Sequence, residues 1–92
     1  MRQAARTDDN HAEIREALRK VGCSVLDLSR VGGGCPDLLV WRWGTFYLME
    51  VKDGTKPPSA RKLTPAQVRF RERFPVIVVC SVADALRAVG VG

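Results

Sequence analysis

A single histidine, a single tyrosine and three scattered cysteines are meagre provision for a 92-residue chain, and each shortage removes a class of function. Cys23, Cys35 and Cys80 are odd in number and accompanied only by His11, so neither a disulfide framework nor a zinc site is suggested. They read as small core or loop residues, and His11 reads as a surface residue beside a helix start. No apolar run approaches the roughly 20 residues needed to cross a bilayer, so no membrane association is expected. The N-terminal Met-Arg-Gln-Ala-Ala-Arg stretch lacks the apolar segment of a signal peptide, and a cytosolic location is the expectation. The Gly32-Gly33-Gly34 run lacks the Gly-Lys-Ser/Thr ending of a phosphate-cradling P-loop. A chain this short has room for one domain, read as residues 10–92 after an N-terminal tail of residues 1–9.

Acidic residues are also in deficit, and the net charge of +5 with an isoelectric point near 9.6 favours a polyanionic partner. The excess is concentrated. From Asp53 to Phe74 there are six bases against two acids, so this segment alone carries +4. Lys56, Arg61 and Lys62 lie in the loop just after Lys52, where phosphate contacts would add affinity without sequence preference and weaken steeply with salt. Arg69 and Arg73 are as readily a solvated helix face.

Against this background, Pro36-Asp37 followed by Glu50-Val51-Lys52 stands out. Two segments rich in β-branched, aromatic and aliphatic residues, Asp37 to Trp43 and Phe46 to Val51, are separated only by Gly44-Thr45, a two-residue loop with glycine first and hence a type II′ hairpin signal. Trp43 is then expected opposite Phe46, Leu39 opposite Glu50 and Asp37 opposite Lys52. Side chains alternate between faces, so Asp37, Glu50 and Lys52 share one face at the open end of the hairpin. Opposed Cβ atoms lie about 5 Å apart and diagonal ones about 7 Å, within reach of one shared cation. Two carboxylates on a half-buried apolar surface repel each other and lose hydration unless something positive sits between them. Oxygen donors of this kind suit Mg²⁺ or Mn²⁺, and Lys52 could orient a water or neutralise developing charge. The alternative is that Glu50 and Lys52 are ordinary solvated strand residues and Asp37 merely follows a proline in a turn.

Pro36-Asp37 with Glu50-x-Lys52 resembles the PD-(D/E)xK nuclease signature. The short chain with its later Leu63-Thr64-Pro65-Ala66-Gln67 resembles the stand-alone phage and bacterial members of the virus-type replication-repair nuclease (VRR-NUC) group, over about Asn10 to Leu86. The resemblance implies a restriction-endonuclease-like core and a structure-selective DNA endonuclease akin to Holliday-junction resolvases. It would use Mg²⁺ or Mn²⁺ and metal-activated water, often as a homodimer, in the cytoplasm of a bacterial or phage-infected cell. It further implies Asp37, Glu50 and the Val51 carbonyl as metal ligands, Lys52 as the catalytic lysine, Glu13 as an acidic residue of the first helix, and Gln67 as an accessory polar group. DNA contacts would come from Arg30, Gly33 and Gly34 in the glycine loop and from Lys56, Arg61 and Lys62. The three glycines and Cys35 before Pro36 depart from the more varied loop of that group. Two other functions fit the same residues: a DNA-binding module of this fold without turnover, and a nuclease subunit whose substrate is chosen by a partner.

The remaining pattern predicts an α/β domain. Asn10-His11-Ala12-Glu13 reads as a capping box opening a helix with an Ile14, Ala17, Leu18, Val21 stripe, ended by Gly22; this accounts for Glu13 structurally as well. Cys23 to Ser29 reads as a strand. Thr64 as N-cap, Pro65 at the first helical position and Gln67 as capping-box partner open a second helix stopped by Pro75. Val76 to Cys80 is a short apolar strand, and Ser81-Val82-Ala83-Asp84 opens a last helix. The order α-β-β-β-α-β-α predicts a mixed sheet flanked by helices on both faces. Trp41, Trp43 and Phe46 near the turn are candidates for a dimer surface or a DNA wedge, although core packing is the commoner fate of such residues.

Overall fold

In the computed structural model, which describes residues 8–92, α1 (His11–Lys20) is followed by β1 (Ser24–Asp27), β2 (Leu38–Arg42) and β3 (Thr45–Val51). A 3₁₀ turn (Pro58–Ala60) and α2 (Pro65–Arg73) then lead to β4 (Val76–Val79) and α3 (Val82–Ala88). Most of the expected tail, residues 1–9, lies outside the described residues. The four strands form one mixed sheet in the order β1-β2-β3-β4, antiparallel at the first two junctions and parallel at the third. The parallel junction needs a crossover, and α2 supplies it. No helix among the described residues is long and apolar enough to cross a membrane.

One face of the sheet carries the core. Leu38, Val40, Met49, Val51 and Val79 are buried there against Ile14 and Leu18 of α1 and Ala85 of α3, with Val89 just beyond it. Truncating any of the larger of these to alanine removes transfer free energy and leaves a cavity, at about 2 to 5 kcal/mol each. The other face carries Leu39, Leu48, Glu50, Val76 and Val78, and α2 covers only its β3–β4 side, where Gln67 reaches Glu50. Over β1, β2 and the start of β3 the apolar side chains stay open: Leu26 is 56% and Phe46 67% exposed, so the tip aromatics are not core residues.

Several expectations need correction. The hairpin turns on Trp43-Gly44, since Arg42 pairs with Thr45 and Trp41 with Phe46. Both turn residues have positive φ, 49° and 82°, as a type I′ turn demands. Strain at the non-glycine Trp43 is countered by the Arg42 guanidinium, 3.7 Å from the centre of its ring. The register is thereby two residues away from the one that Gly44-Thr45 would set. Because the slip is even, every side chain keeps its face, but the residue opposite Asp37 becomes Glu50 instead of Lys52.

The first helix also starts differently. Asn10 is its N-cap residue but makes no side-chain cap bond; its Nδ2 donates instead to the carbonyls of Lys52 and Cys80, both at 3.2 Å. The expected Asn10–Glu13 capping box is therefore absent. His11 is buried, not on the surface. It extends the Ile14, Leu18, Val21 stripe by one turn, and its Nδ1 accepts from Arg15 Nε at 3.1 Å. The α2 capping box is present in full, and Ser81 caps α3 by accepting from the Asp84 backbone.

Gly34 is the point where the glycine loop meets α2. A side chain there would collide with the backbone of Ala66 and come within 2.9 Å of the Gln67 nitrogen, at a φ of 82°. Gly32, at φ 79°, faces open space. Gly32→Ala is expected to cost only its left-handed backbone penalty, about 1 to 2 kcal/mol, and Gly34→Ala clearly more because α2 must also move. Urea unfolding of the two variants measures the difference.

Candidate active site

Asp37 is held before any ligand arrives. Pro36 before it is fully buried, its own carbonyl accepts from Leu28 N–H at 2.7 Å, and its Oδ2 accepts from Val51 N–H at 2.8 Å. Glu50 stands across the ladder from it on the face covered by α2, only 4% exposed as a residue. The two acids are brought together by strand pairing, as their residue spacing and shared parity require.

Their proximity has an electrostatic cost. The Glu50 carboxyl is pushed up from 4.5 to about 8, first by burial, then by the hydrogen-bonding reach and negative charge of Asp37. Lys52 pulls the other way, with Nζ 3.9 Å from Glu50 Oε2, and the more distant Asp8 adds a further small push upward. The lysine does not cancel burial and a second carboxylate together, so the pair retains a proton where isolated carboxylates would have lost theirs.

Gln67 closes the cluster. Its Nε2 donates to Glu50 Oε2 at 3.1 Å, while its Oε1 accepts from Lys52 Nζ at 3.1 Å and from the Thr64 backbone at 2.8 Å. The same amide thus completes the α2 cap and bridges the acid to the amine. The capping and site readings of Gln67 are not alternatives.

Not every expected residue joins this group. Glu13 is exposed on α1 and makes no hydrogen bond or ion pair among the described residues. Three or more His, Cys, Asp or Glu groups placed to hold an ion are not found among the described residues, so a cation here would rest on Asp37, Glu50 and the adjacent Val51 carbonyl, completed by water or a phosphate. That donor set fits Mg²⁺ or Mn²⁺, which commonly take one or two carboxylates and substrate oxygens. Lys62 is exposed, Arg61 Nε donates to the Lys56 carbonyl at 2.8 Å, and Lys56 Nζ lies 3.7 Å from Asp8 and 4.0 Å from Asp9. Arg30 and Gly33 are exposed on the glycine loop, with Gly34 tucked against α2.

Two neighbours were not anticipated from the sequence. Asn10 ties the segment carrying Asp8 and Asp9 to the ends of β3 and β4, but its position before a helix signals only a cap. Cys35 lies close enough to feel both acids; burial first, then Glu50 and Asp37, push its thiol upward, so it stays protonated and does not compete as a thiolate.

A carboxyl with a raised folded value binds its proton more tightly when folded, so its stabilising contribution is complete below about 4.5 and is lost as pH rises through about 8. In chelator, the thermal midpoint is therefore expected to fall across this window. Glu50→Gln should flatten the fall, and added Mg²⁺ or Mn²⁺ should restore the midpoint at the alkaline end. Thermal melts followed by circular dichroism at several pH values check all three outcomes.

Comparison with known proteins finds no matching family model, no matching curated protein and no matching solved structure.

Proposed function

We propose that this protein is a Mg²⁺- or Mn²⁺-dependent DNA endonuclease of the PD-(D/E)xK type, with a restriction-endonuclease-like core and closest in kind to VRR-NUC domains. One observation carries the reading: Asp37 and Glu50 oppose each other on paired strands with Lys52 and Gln67 around them, and burial together with the neighbouring Asp37 drives Glu50 to about 8 in spite of Lys52. A structural ion pair needs one acid for one base. A second, buried acid makes sense where a cation is to be bound.

Asp37, Glu50 and the Val51 carbonyl would hold the ion, which when bound supplies Lewis-acid polarisation of the phosphate and acidification of water. The chain's own contributions are orientation and charge. Val51 N–H fixes one Asp37 oxygen and leaves the other free to bind. Lys52, held by Gln67 Oε1, presents its ammonium to the oxygens on which charge grows during phosphodiester cleavage. Gln67 Nε2 keeps Glu50 from swinging away when its proton is lost. Lys56, Arg61 and Lys62, with Arg30 and the Gly33-Gly34 backbone, would receive DNA phosphates, and Lys56 would exchange Asp8 and Asp9 for them.

Branched DNA, such as a four-way junction, is the proposed substrate. A two-fold homodimer would provide the second active site that symmetric cutting requires; exposed Leu26, Trp41 and Phe46 give it apolar surface. Four-way junction, flap, splayed-arm and blunt duplex DNA should be incubated with the protein in Mg²⁺, Mn²⁺ and chelator. Cleavage of branched substrates in either metal is expected, with Asp37→Ala abolishing it and Lys52→Ala lowering its rate by about 10²-fold or more while ion binding persists. Binding without cleavage by the wild type would leave a DNA-binding module without turnover, and cleavage only with an added protein would leave a partner-dependent subunit.

A further inference from the structure

A broad concavity lies near the carboxylates, along the outer side of α2. Gly33, Ala66, Arg69, Phe70, Arg73 and Phe74 line a groove of about 360 Å³. Positions 66, 69, 70 and 73 recur at three- and four-residue spacing and so form one stripe of the helix, with Phe74 following as its C-cap residue. Nothing in the fold uses that stripe: α2 has no buried residue, and Phe74 is 45% exposed with its ring centre 4.7 Å from that of Phe70. Arg69 and Arg73 are exposed and form no ion pair or side-chain hydrogen bond among the described residues, whereas Arg71 on the sheet side is anchored to the Val76 carbonyl. An aromatic pair only partly covered, with Phe74 open to water, is costly, and two guanidiniums without partners among the described residues flanking it point to a ligand with both π faces and negative charge.

A nucleotide strand has both. Continuous duplex DNA does not offer them together, because its base faces are covered by stacking and only phosphates are presented to a helix of this kind. Unpaired bases do expose their faces, and aromatic side chains beside basic ones are the usual means of holding them. Arg69 and Arg73 are separated by about 6 Å of helix rise, a spacing suited to successive phosphates of one strand. The groove also adjoins the acids: Ala66 precedes Gln67, which holds Glu50 and Lys52, and Gly33 precedes Gly34, seated on the same turn of α2.

We propose that this α2 groove binds unpaired nucleotides next to the carboxylate pair, and so selects branched over continuous DNA. The inference rests on the nuclease reading for its biological direction, but its binding half needs no hydrolysis. The test therefore uses the full chain in chelator, measuring equilibrium binding of splayed-arm DNA and blunt duplex of equal length, with 2-aminopurine in one unpaired arm. Wild type is expected to prefer the splayed-arm DNA and to quench the probe by stacking. Phe74→Ser should weaken splayed-arm binding about 5-fold or more, abolish the quench and leave duplex binding nearly unchanged. Arg69→Gln with Arg73→Gln should reduce the salt slope for the unpaired arm by about 1.4. Circular dichroism confirms that each variant is folded.

Equal wild-type affinity for the two DNAs would overturn the proposal, as would equal weakening of both by Phe74→Ser. So would a change only in oligomeric mass by light scattering, since the stripe would then be a contact between copies of this chain. Failure of the nuclease reading looks different: no cleavage in Mg²⁺ or Mn²⁺ with branch preference intact, a result that still supports the groove. Absence of any DNA binding by the wild type would sink both.

Discussion

Two carboxyl groups set against each other across a β-ladder, with Glu50 buried beneath α2, constrain the rest of this structure more than any other contact. Strand pairing fixes Asp37 and Glu50 at a separation they would not choose as free ions. Three polar neighbours answer that conflict: Val51 N–H and the Gln67 amide donate to the acids, and the Lys52 ammonium lies alongside. These contacts reduce the conflict without abolishing it, so burial first and then Asp37 still hold the Glu50 carboxyl up at about 8. Stability alone would be served better by one acid than by two. Their pairing at the end of a well-paired hairpin is the physical basis of the proposed nuclease activity.

Gln67 transmits the state of this site into the fold. Its oxygen serves the α2 cap and Lys52, and its nitrogen serves Glu50, so any shift of the acid pulls on the first turn of the crossover helix. That turn is also where Gly34 sits against Ala66 and Gln67 with no room for a side chain. The glycine loop, α2 and β3 therefore meet at one point. A capping interaction worth about 1 kcal/mol in an isolated helix becomes a link between the glycine loop and the acid pair.

Much of this was legible because the decisive signals are local. Thr64-Pro65-x-Gln67 names its own helix start, and an apolar run bounded by Pro75 and Ser81 names β4. The facing of Asp37 and Glu50 survived a wrong turn assignment, since an error of two residues in register preserves parity. The turn itself was obscured because Trp43 is an unusual residue at positive φ, tolerated through Arg42 stacking on its ring, and such a contact cannot be foreseen from a Gly-Thr pair. Asn10 and His11 were misread for a related reason. Their local pattern is that of an exposed cap, while their partners, Lys52 and Cys80 for one and the α1 stripe for the other, depend on tertiary packing.

The two faces of the sheet divide the work of a small chain. Ninety-two residues bury only a modest core, and α1 and α3 place it on one side, where Leu38, Val40, Met49, Val51 and Val79 are fully covered or nearly so. That leaves the opposite side short of covering elements. A single helix without a buried residue covers only its β3–β4 part, the Leu26 and Phe46 side chains remain open, and the acid pair lies between these two regions. Apolar and charged surface thus adjoins the site. That surface combines aromatic rings with arginines that have no side-chain partner among the described residues, the composition that a partly unpaired nucleic acid would require.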